Sequence, residues 1–176
     1  RGWKQIQRGL CLADVVKGKR LIAVAGSHGK TSTTGILIDL FESIGEERSY
    51  AMGGHFASKR DPGRWTQSEW MIVELDESDG TIEEFSPEIS IILNADHDHH
   101  SKYATETEYL DIFRRLGRRT TGQVVLNEVL RDSVGERLAR DRVVFPKIEK
   151  SEPAVSNQLG DFSRNNQQMA LAAMEA

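Results

Sequence analysis

The chain has 176 residues, 38% of them apolar and 28% charged, and a net charge of −4, the composition of an ordinary globular domain. The negative charge argues against a general nucleic-acid binder, and no apolar run approaches the roughly 20 residues that cross a bilayer. The single cysteine, Cys11, excludes an internal disulfide framework, and its apolar surroundings predict a buried thiol. Without a signal-peptide pattern, we expect a cytoplasmic protein with no nucleic-acid or membrane partner.

Helices and apolar strands are predicted to alternate along the chain. The first half contains a leading helix that ends near Val16, a strand over 20–25, a helix over 30–44 and a turn-rich stretch over 52–66. The second half contains strands over 70–75, 89–93, 123–127 and 142–145, a helix that opens with a capping box at Thr105, a helix near 129–140, a polar loop around 146–160 and a final helix from about Arg164. Solidly apolar strands separated by helices indicate an α/β fold with an open, mostly parallel sheet and helices on both faces.

Ligands of such sheets bind at the carboxyl ends of the strands. The loops that start at Gly26, Leu75 and Asn94 are therefore expected to meet at one site. The acidic residues are concentrated in the same region, because 74–108 contains eleven Asp or Glu and one basic residue, a composition that suits cations. The eight arginines of 114–142 are either a solvated helix face or a binding surface for a phosphorylated or carboxylate substrate.

The segment Gly26-Ser-His-Gly-Lys-Thr31 joins the first predicted strand to the following helix. Glycines let the backbone approach a phosphate, the helix N-terminus supplies N–H groups and partial positive charge, the lysine neutralises β and γ phosphates, and the hydroxyl after it can bind Mg²⁺. The loop departs from the full G-x-x-x-x-G-K-[ST] pattern, because Val24 stands where the first glycine is expected. Its position between strand and helix predicts binding of a nucleoside triphosphate.

Four segments carry a resemblance to the Mur ligases, the ATP-dependent amino-acid ligases of peptidoglycan precursor synthesis. They are Ala25-Gly-Ser-His-Gly-Lys-Thr-Ser-Thr-Thr34, Val73-Glu-Leu-Asp-Glu-Ser-Asp79, Asn94-Ala-Asp-His-Asp-His99 followed by Tyr103, and Gly160-Asp-Phe-Ser-Arg-Asn-Asn166. Within the family, these segments most resemble the branch that joins L-alanine to UDP-N-acetylmuramate. In the third segment the spacing to Tyr103 selects Asp98-His99 rather than Asp96-His97 as the matching pair.

The resemblance implies a P-loop NTPase-like central domain that binds ATP and Mg²⁺. It implies catalytic roles for Lys30, Glu74 and His99: Lys30 neutralises the phosphates, Thr31 binds the Mg²⁺ between the β and γ phosphates, and Glu74 and His99 hold a second Mg²⁺. The implied nucleotide contacts are Gly26, Ser27, His28, Gly29, Lys30, Thr31, Ser32 and Asn166, the last of them reading the adenine edge. Histidine is an unusual ligand for Mg²⁺, and spacing alone would also suit zinc.

Several neighbouring residues keep two interpretations. The remaining carboxylates of the strand-end motif either bind metal themselves or are solvated or behind the metal ligands, and we favour the second interpretation: Asp76, Glu77 and Asp79. Histidines that either contact ligand or merely occupy loops are His28, His97 and His100. The turn Gly53-Gly54-His55 is either a substrate-side loop or a surface turn. Ser163, which replaces the first asparagine of the adenine motif, serves equally well as a helix cap.

Many family members carry a carbamoylated lysine that helps place the second metal, whereas the comparable position here falls at about Phe113. The L-alanine branch shares that lack. By resemblance, a substrate carboxylate attacks the γ phosphate of ATP, and an amino acid then displaces phosphate from the acyl phosphate to form an amide.

We expect residues 1–176 to form a single central domain, with 1–19 as a leading linker and helix. The UDP-sugar and amino-acid domains of the family are expected to lie outside this sequence. Alone, the chain is therefore expected to bind ATP but hardly to ligate. The rival functions are a general P-loop ATPase or kinase and a non-catalytic nucleotide-binding domain.

Overall fold

One sheet runs through the part of the chain that the computed structural model describes, residues 5–54, 61–78, 80–97, 103–146 and 161–176. Within these residues the strands are β1 (Arg20–Ala25), β2 (Ser49–Ala51), β3 (Gly63–Arg64), β4 (Trp70–Glu74), β5 (Ile89–Ile92), β6 (Val124–Leu126) and β7 (Val143–Val144), and the α-helices are α1 (Arg8–Val15), α2 (Lys30–Ser43), α3 (Glu106–Arg119) and α4 (Asp161–Met174). The seven strands lie in the order β3-β2-β4-β1-β5-β6-β7, and every pairing is parallel except that of β2 with β3. The predicted α/β fold with a mostly parallel sheet is confirmed.

Helices cover both faces of the sheet. Because successive side chains of a strand point to opposite faces, each strand contributes to two separate cores. On the central strand β1, Leu21, Ala23 and Ala25 pack in one core with residues of α1 and α3. Ile22 and Val24 belong to the opposite core, which contains apolar residues of α2 and α4. A sheet buried on both sides explains why its strands read as continuous apolar runs.

The helix predicted near 129–140 is wrong. This stretch forms three short 3₁₀ turns, Glu128–Leu130, Gly135–Arg137 and Arg140–Arg142. Its buried Leu130, Val134 and Leu138 recur every four residues and imitate a helical stripe. The Arg114 guanidinium donates two hydrogen bonds to the Ser133 carbonyl, from Nε at 2.9 Å and from Nη2 at 2.6 Å. This long-range contact replaces the backbone hydrogen bond that the Ser133 carbonyl would accept in a continuous helix.

Two smaller features also differ from expectation. Strand β2 was not predicted, because three residues are too short to show a period, and it is held by parallel pairing with β4. The Cys11 thiol, predicted to be buried, is exposed on α1.

The predicted capping box at the start of α3 forms in an altered way. Thr105 Oγ1 accepts a hydrogen bond from the Glu108 backbone N–H at 3.2 Å. The Glu108 carboxylate reaches back to the N–H of Ala104, at 2.9 Å, rather than to that of the cap residue itself. Two backbone donors at the helix start are thereby satisfied.

The described residues contain no helix with the length and apolar composition of a membrane span.

Candidate active site

The loops that follow β1, β4 and β5 meet at the carboxyl edge of the sheet. The Leu75 N–H donates to the Val24 carbonyl at 2.9 Å, which continues the pairing of β4 with β1 beyond the strand ends. Asn94 binds the main chain of His28 with both ends of its amide: Oδ1 accepts from the N–H at 2.8 Å and Nδ2 donates to the carbonyl at 3.0 Å. The three loops expected to converge therefore surround one region, with the loop before α2 at its centre.

The backbone of the phosphate loop requires two of its glycines. Gly26 has φ 135° and Gly29 has φ 83°, both in the left-handed region that side chains disfavour. A Cβ on Gly29 would lie 3.1 Å from Nδ2 of Asn166, so the predicted adenine-binding residue of α4 lies directly against the loop. The loop thus has the open backbone that a bound phosphate needs, and Asn166 is beside it.

Lys30 is the first residue of α2, and its ammonium turns back into the loop. Nζ donates to the Gly26 carbonyl at 2.5 Å and forms an ion pair with Glu77 Oε2 at 3.1 Å. The Glu77 residue is 3% exposed, so the interpretation of this carboxylate as solvated is wrong. Local sequence held no signal for it, because the pair joins residues 47 positions apart.

Thr31 and Glu74 form the second contact across the site. Thr31 Oγ1 lies 3.0 Å from each carboxylate oxygen of Glu74, which leaves β4 at the sheet edge. The N–H of Gly53 donates to Glu74 Oε2 at 2.9 Å, and a Cβ on Gly53 would lie 2.9 Å from Oε1. A Cβ on Gly54 would lie 3.2 Å from Thr31 Cγ2. The described part of this turn therefore belongs to the site, whereas His55 lies outside the described residues.

Two titratable groups at this edge have displaced pKa values. Burial by itself raises the pKa of Asp76, but hydrogen bonds from Ser78 and the positive charges of Lys30 and Arg8 outweigh it, so the pKa is lower than usual. Burial raises the pKa of the Tyr109 hydroxyl, and the negative charge of Glu77 adds to that effect. Tyr109 is therefore a neutral hydrogen-bond donor across the physiological range.

The donor set fits Mg²⁺ with nucleotide phosphates. The Thr31 hydroxyl and the Glu74 carboxylate offer hard oxygen ligands beside the N-terminus of α2. Within the described ranges no three His, Cys, Asp or Glu residues gather into a group that could hold a metal ion. The third predicted ligand, His99, falls outside the described residues, as do Asp79, Asp98 and His100.

The other predicted site residues are placed as follows. Ser27 Oγ lies 2.6 Å from the Tyr109 hydroxyl and donates to the Asp96 carbonyl at 3.0 Å. His28 and Ser32 are exposed beside the loop, and His97 is an exposed loop residue whose ring lies 5.7 Å from that of Tyr109. The Ser163 side chain is not among the described ones.

Comparison with known proteins identifies the family. Residues 24–174 match the model of the Mur ligase middle domain. The UDP-N-acetylmuramate–L-alanine ligase of Streptomyces griseus is 39% identical over 108 residues, which cover 61% of this chain and 23% of that protein. The corresponding ligase of Bdellovibrio bacteriovorus is 30% identical over 162 residues, which cover 90% of this chain and 36% of that protein. The chain thus spans about a quarter to a third of these relatives.

Solved structures agree on the fold. The UDP-N-acetylmuramate:L-alanyl-gamma-D-glutamyl-meso-diaminopimelate ligase from Neisseria meningitides superposes with a TM-score of 0.80 at 20% identity, over 95% of this chain and 64% of that one. A MurF ligase from Thermotoga maritima in complex with ADP gives a TM-score of 0.69 at 16% identity, over 99% of this chain and 52% of that one. The chain therefore belongs to the Mur ligase family and has the fold of its middle domain.

Proposed function

We propose that this chain is the ATP-binding part of an ATP-dependent carboxylate–amine ligase of peptidoglycan precursor synthesis, of the UDP-N-acetylmuramate–L-alanine ligase type. The observation that carries the proposal is the meeting of Lys30, Thr31 and Glu74 at the N-terminus of α2, at the carboxyl edge of the sheet. The curated relatives named above support the choice of branch. The substrates that we propose are ATP, a UDP-sugar carboxylate and an amino acid.

The residues of the loop divide the work of binding a triphosphate. The backbone N–H groups at the start of α2 hold the phosphates, and the Lys30 ammonium neutralises them. Thr31 Oγ1 would hold one Mg²⁺, and the Glu74 carboxylate together with His99 would hold a second. The chemistry supplied by Mg²⁺ is charge compensation, which lets one anion, the substrate carboxylate, approach another. Asn166 lies next to Gly29, and in the proposed complex its amide forms hydrogen bonds with the adenine edge.

The proposed reaction has two steps. A carboxylate oxygen of the substrate attacks the γ phosphorus of ATP, the bond to the β-phosphate oxygen breaks, and ADP leaves. The amine nitrogen then attacks the acyl carbon, phosphate departs with the bonding pair, and the amine loses a proton. Because the reaction consumes ATP, we place it in the cytoplasm. A general P-loop ATPase or kinase and a non-catalytic nucleotide-binding domain are not favoured by the relatives.

Calorimetric titration with ATP and Mg²⁺ tests the proposal. Lys30→Ala should weaken binding by about tenfold or more, because it removes a charge-assisted contact to phosphate. The matched control is Lys17→Ala, since the Lys17 side chain is 77% exposed beyond the far end of α1 and pairs only with Asp14 among the interactions described for it. Equal affinities of the two variants would contradict the assignment of the loop.

A further inference from the structure

A buried carboxylate lies beside the lysine of the phosphate loop. The side chains of Lys30 and Glu77 are 15% and 4% exposed, and Nζ lies 3.1 and 3.4 Å from the two carboxylate oxygens. Since both charged groups are withdrawn from water, each is compensated chiefly by the other.

The ammonium has three hydrogens, and its neighbours in the structure account for them. Besides the Glu77 carboxylate, Nζ has the Gly26 carbonyl at 2.5 Å and the more distant Ser27 carbonyl at 3.5 Å. A phosphate that enters the loop must therefore take over a donor that already has an acceptor.

Other contacts place Glu77 beside the phosphate loop. The Tyr103 hydroxyl donates to the Glu77 backbone carbonyl at 2.9 Å, and the Tyr109 hydroxyl lies 3.4 Å from Oε1. The Tyr109 hydroxyl also lies 2.6 Å from Ser27 Oγ in the phosphate loop. The segment that carries the carboxylate is therefore in contact with residues next to the loop as well as with Lys30.

We propose that Glu77 is a positioning residue whose carboxylate competes with the phosphates of a nucleoside triphosphate for the Lys30 ammonium. Nucleotide affinity is then set by competition between one carboxylate and the phosphates for a single ammonium. The inference rests on the proposed function and adds to it a cost that the incoming phosphates must overcome. A triphosphate, with more negative charge than a diphosphate, competes better for the lysine.

A double-mutant cycle on ATP affinity tests this competition. ATP with Mg²⁺ is titrated into the wild type, Glu77→Gln, Lys30→Met and the double variant. Glu77→Gln should tighten ATP binding by about tenfold when Lys30 is present, because a neutral amide binds the Lys30 ammonium less strongly than the carboxylate and competes less with the phosphates. In the Lys30→Met background the same change should alter affinity by less than about twofold.

The outcomes separate the inference from the function on which it rests. Weaker binding by Glu77→Gln, or equal tightening in both backgrounds, overturns the inference, because the carboxylate then acts on structure or directly on phosphate. If the wild type fails to bind ATP, the proposed function falls and the inference with it.

A second variant keeps the inference testable if Glu77→Gln fails to fold. Glu77→Ala removes the carboxylate itself and leaves Tyr109 and the phosphate loop unchanged in sequence. It should also tighten ATP binding by about tenfold, because no carboxylate then competes with the phosphates for the Lys30 ammonium. Unchanged or weaker binding by a folded Glu77→Ala protein overturns the inference.

Discussion

Glu74 is held by contacts to two separate segments of the chain. Its carboxylate lies 3.0 Å from the Thr31 hydroxyl and accepts a hydrogen bond from the N–H of Gly53. It also ends a buried parallel strand, whose pairing with β1 fixes the direction in which the chain leaves the sheet. A carboxylate restrained in this way is preorganised for a cation at the phosphate loop.

Replacing this carboxylate by an amide tests the metal role. Glu74→Gln should raise the Mg²⁺ concentration needed for half-maximal ATP binding by about tenfold or more, because a neutral amide is a poorer ligand for a hard dication. The measurement is a Mg²⁺ titration at fixed ATP. The matched control is Glu69→Gln, whose side chain is 71% exposed at the opposite end of β4. Similar Mg²⁺ dependences of the two variants would refute the role of Glu74.

Tyr109 makes the stability of the protein sensitive to alkaline pH. Its folded-state pKa lies above the ordinary value of 10.0, chiefly because of burial, so the folded chain retains a proton that the unfolded chain releases. The stabilising contribution is complete below about pH 10 and is lost as the pH rises toward the folded-state pKa.

Urea unfolding between about pH 9 and pH 11 measures this effect. The free energy of unfolding of the wild type should fall more steeply with pH than that of Tyr109→Phe, which has no proton to lose at this position. Parallel pH profiles would show that the buried hydroxyl does not govern alkaline stability.

The site could be predicted from the sequence only in part. The loop residues Lys30 and Thr31 were found because a strand, a glycine-rich turn and a helix follow one another locally. The pairing of Glu77 with Lys30 was not, because it arises from the approach of β4 to β1 in the sheet. A charged residue in an acidic segment shows no local sign of such a partner.

Among the elements, α3 depends on its first turn. The Thr105 hydroxyl satisfies the backbone N–H of Glu108, and the following helix buries Tyr109, Phe113 and Leu116 against the sheet. The same helix carries the tyrosine that contacts the phosphate loop. A change at the cap should therefore loosen both the fold and the site.

Removal of the cap has a defined cost. Thr105→Ala should lower the free energy of unfolding by about 1 kcal/mol, because the N–H of Glu108 loses its acceptor. The control is Thr107→Ala, an exposed position within the first turn of the same helix. Chemical denaturation compares the two, and an equal loss in both variants would mean that the cap is not the cause.

The elements also show where sequence reasoning succeeds. Apolar runs of five residues (21–25) and four residues (70–73) predicted β1 and β4, because both faces of these strands are buried. The spacing of Leu130, Val134 and Leu138 predicted a helix, but those side chains are buried by turns that fold around Gly135, where a Cβ would lie 3.0 Å from the Phe145 ring. Periodicity reports which residues are buried and cannot report the backbone that buries them.

At the scale of the whole molecule, one sheet brings the phosphate loop, the carboxylate of Glu74 and the buried Glu77 to a single edge. The relatives named above are about three to four times as long as the stretch that they share with this chain. We propose that the contacts to the sugar nucleotide and the amino acid lie largely in such further parts.

A binding and a ligation assay separate these functions. The 176-residue chain should bind ATP with Mg²⁺ but form no amide from UDP-N-acetylmuramate and L-alanine, because ATP binding needs only the edge described above. Amide formation by this chain alone would contradict the proposed division of labour.

The most direct test of the central claim is a crystal structure with a non-hydrolysable ATP analogue and Mn²⁺, whose anomalous scattering locates the metal. We predict the triphosphate at the N-terminus of α2 beside Lys30, and metal peaks about 2.0–2.3 Å from Thr31 Oγ1 and from a Glu74 carboxylate oxygen. A nucleotide bound elsewhere, or metal peaks remote from both side chains, would contradict the account.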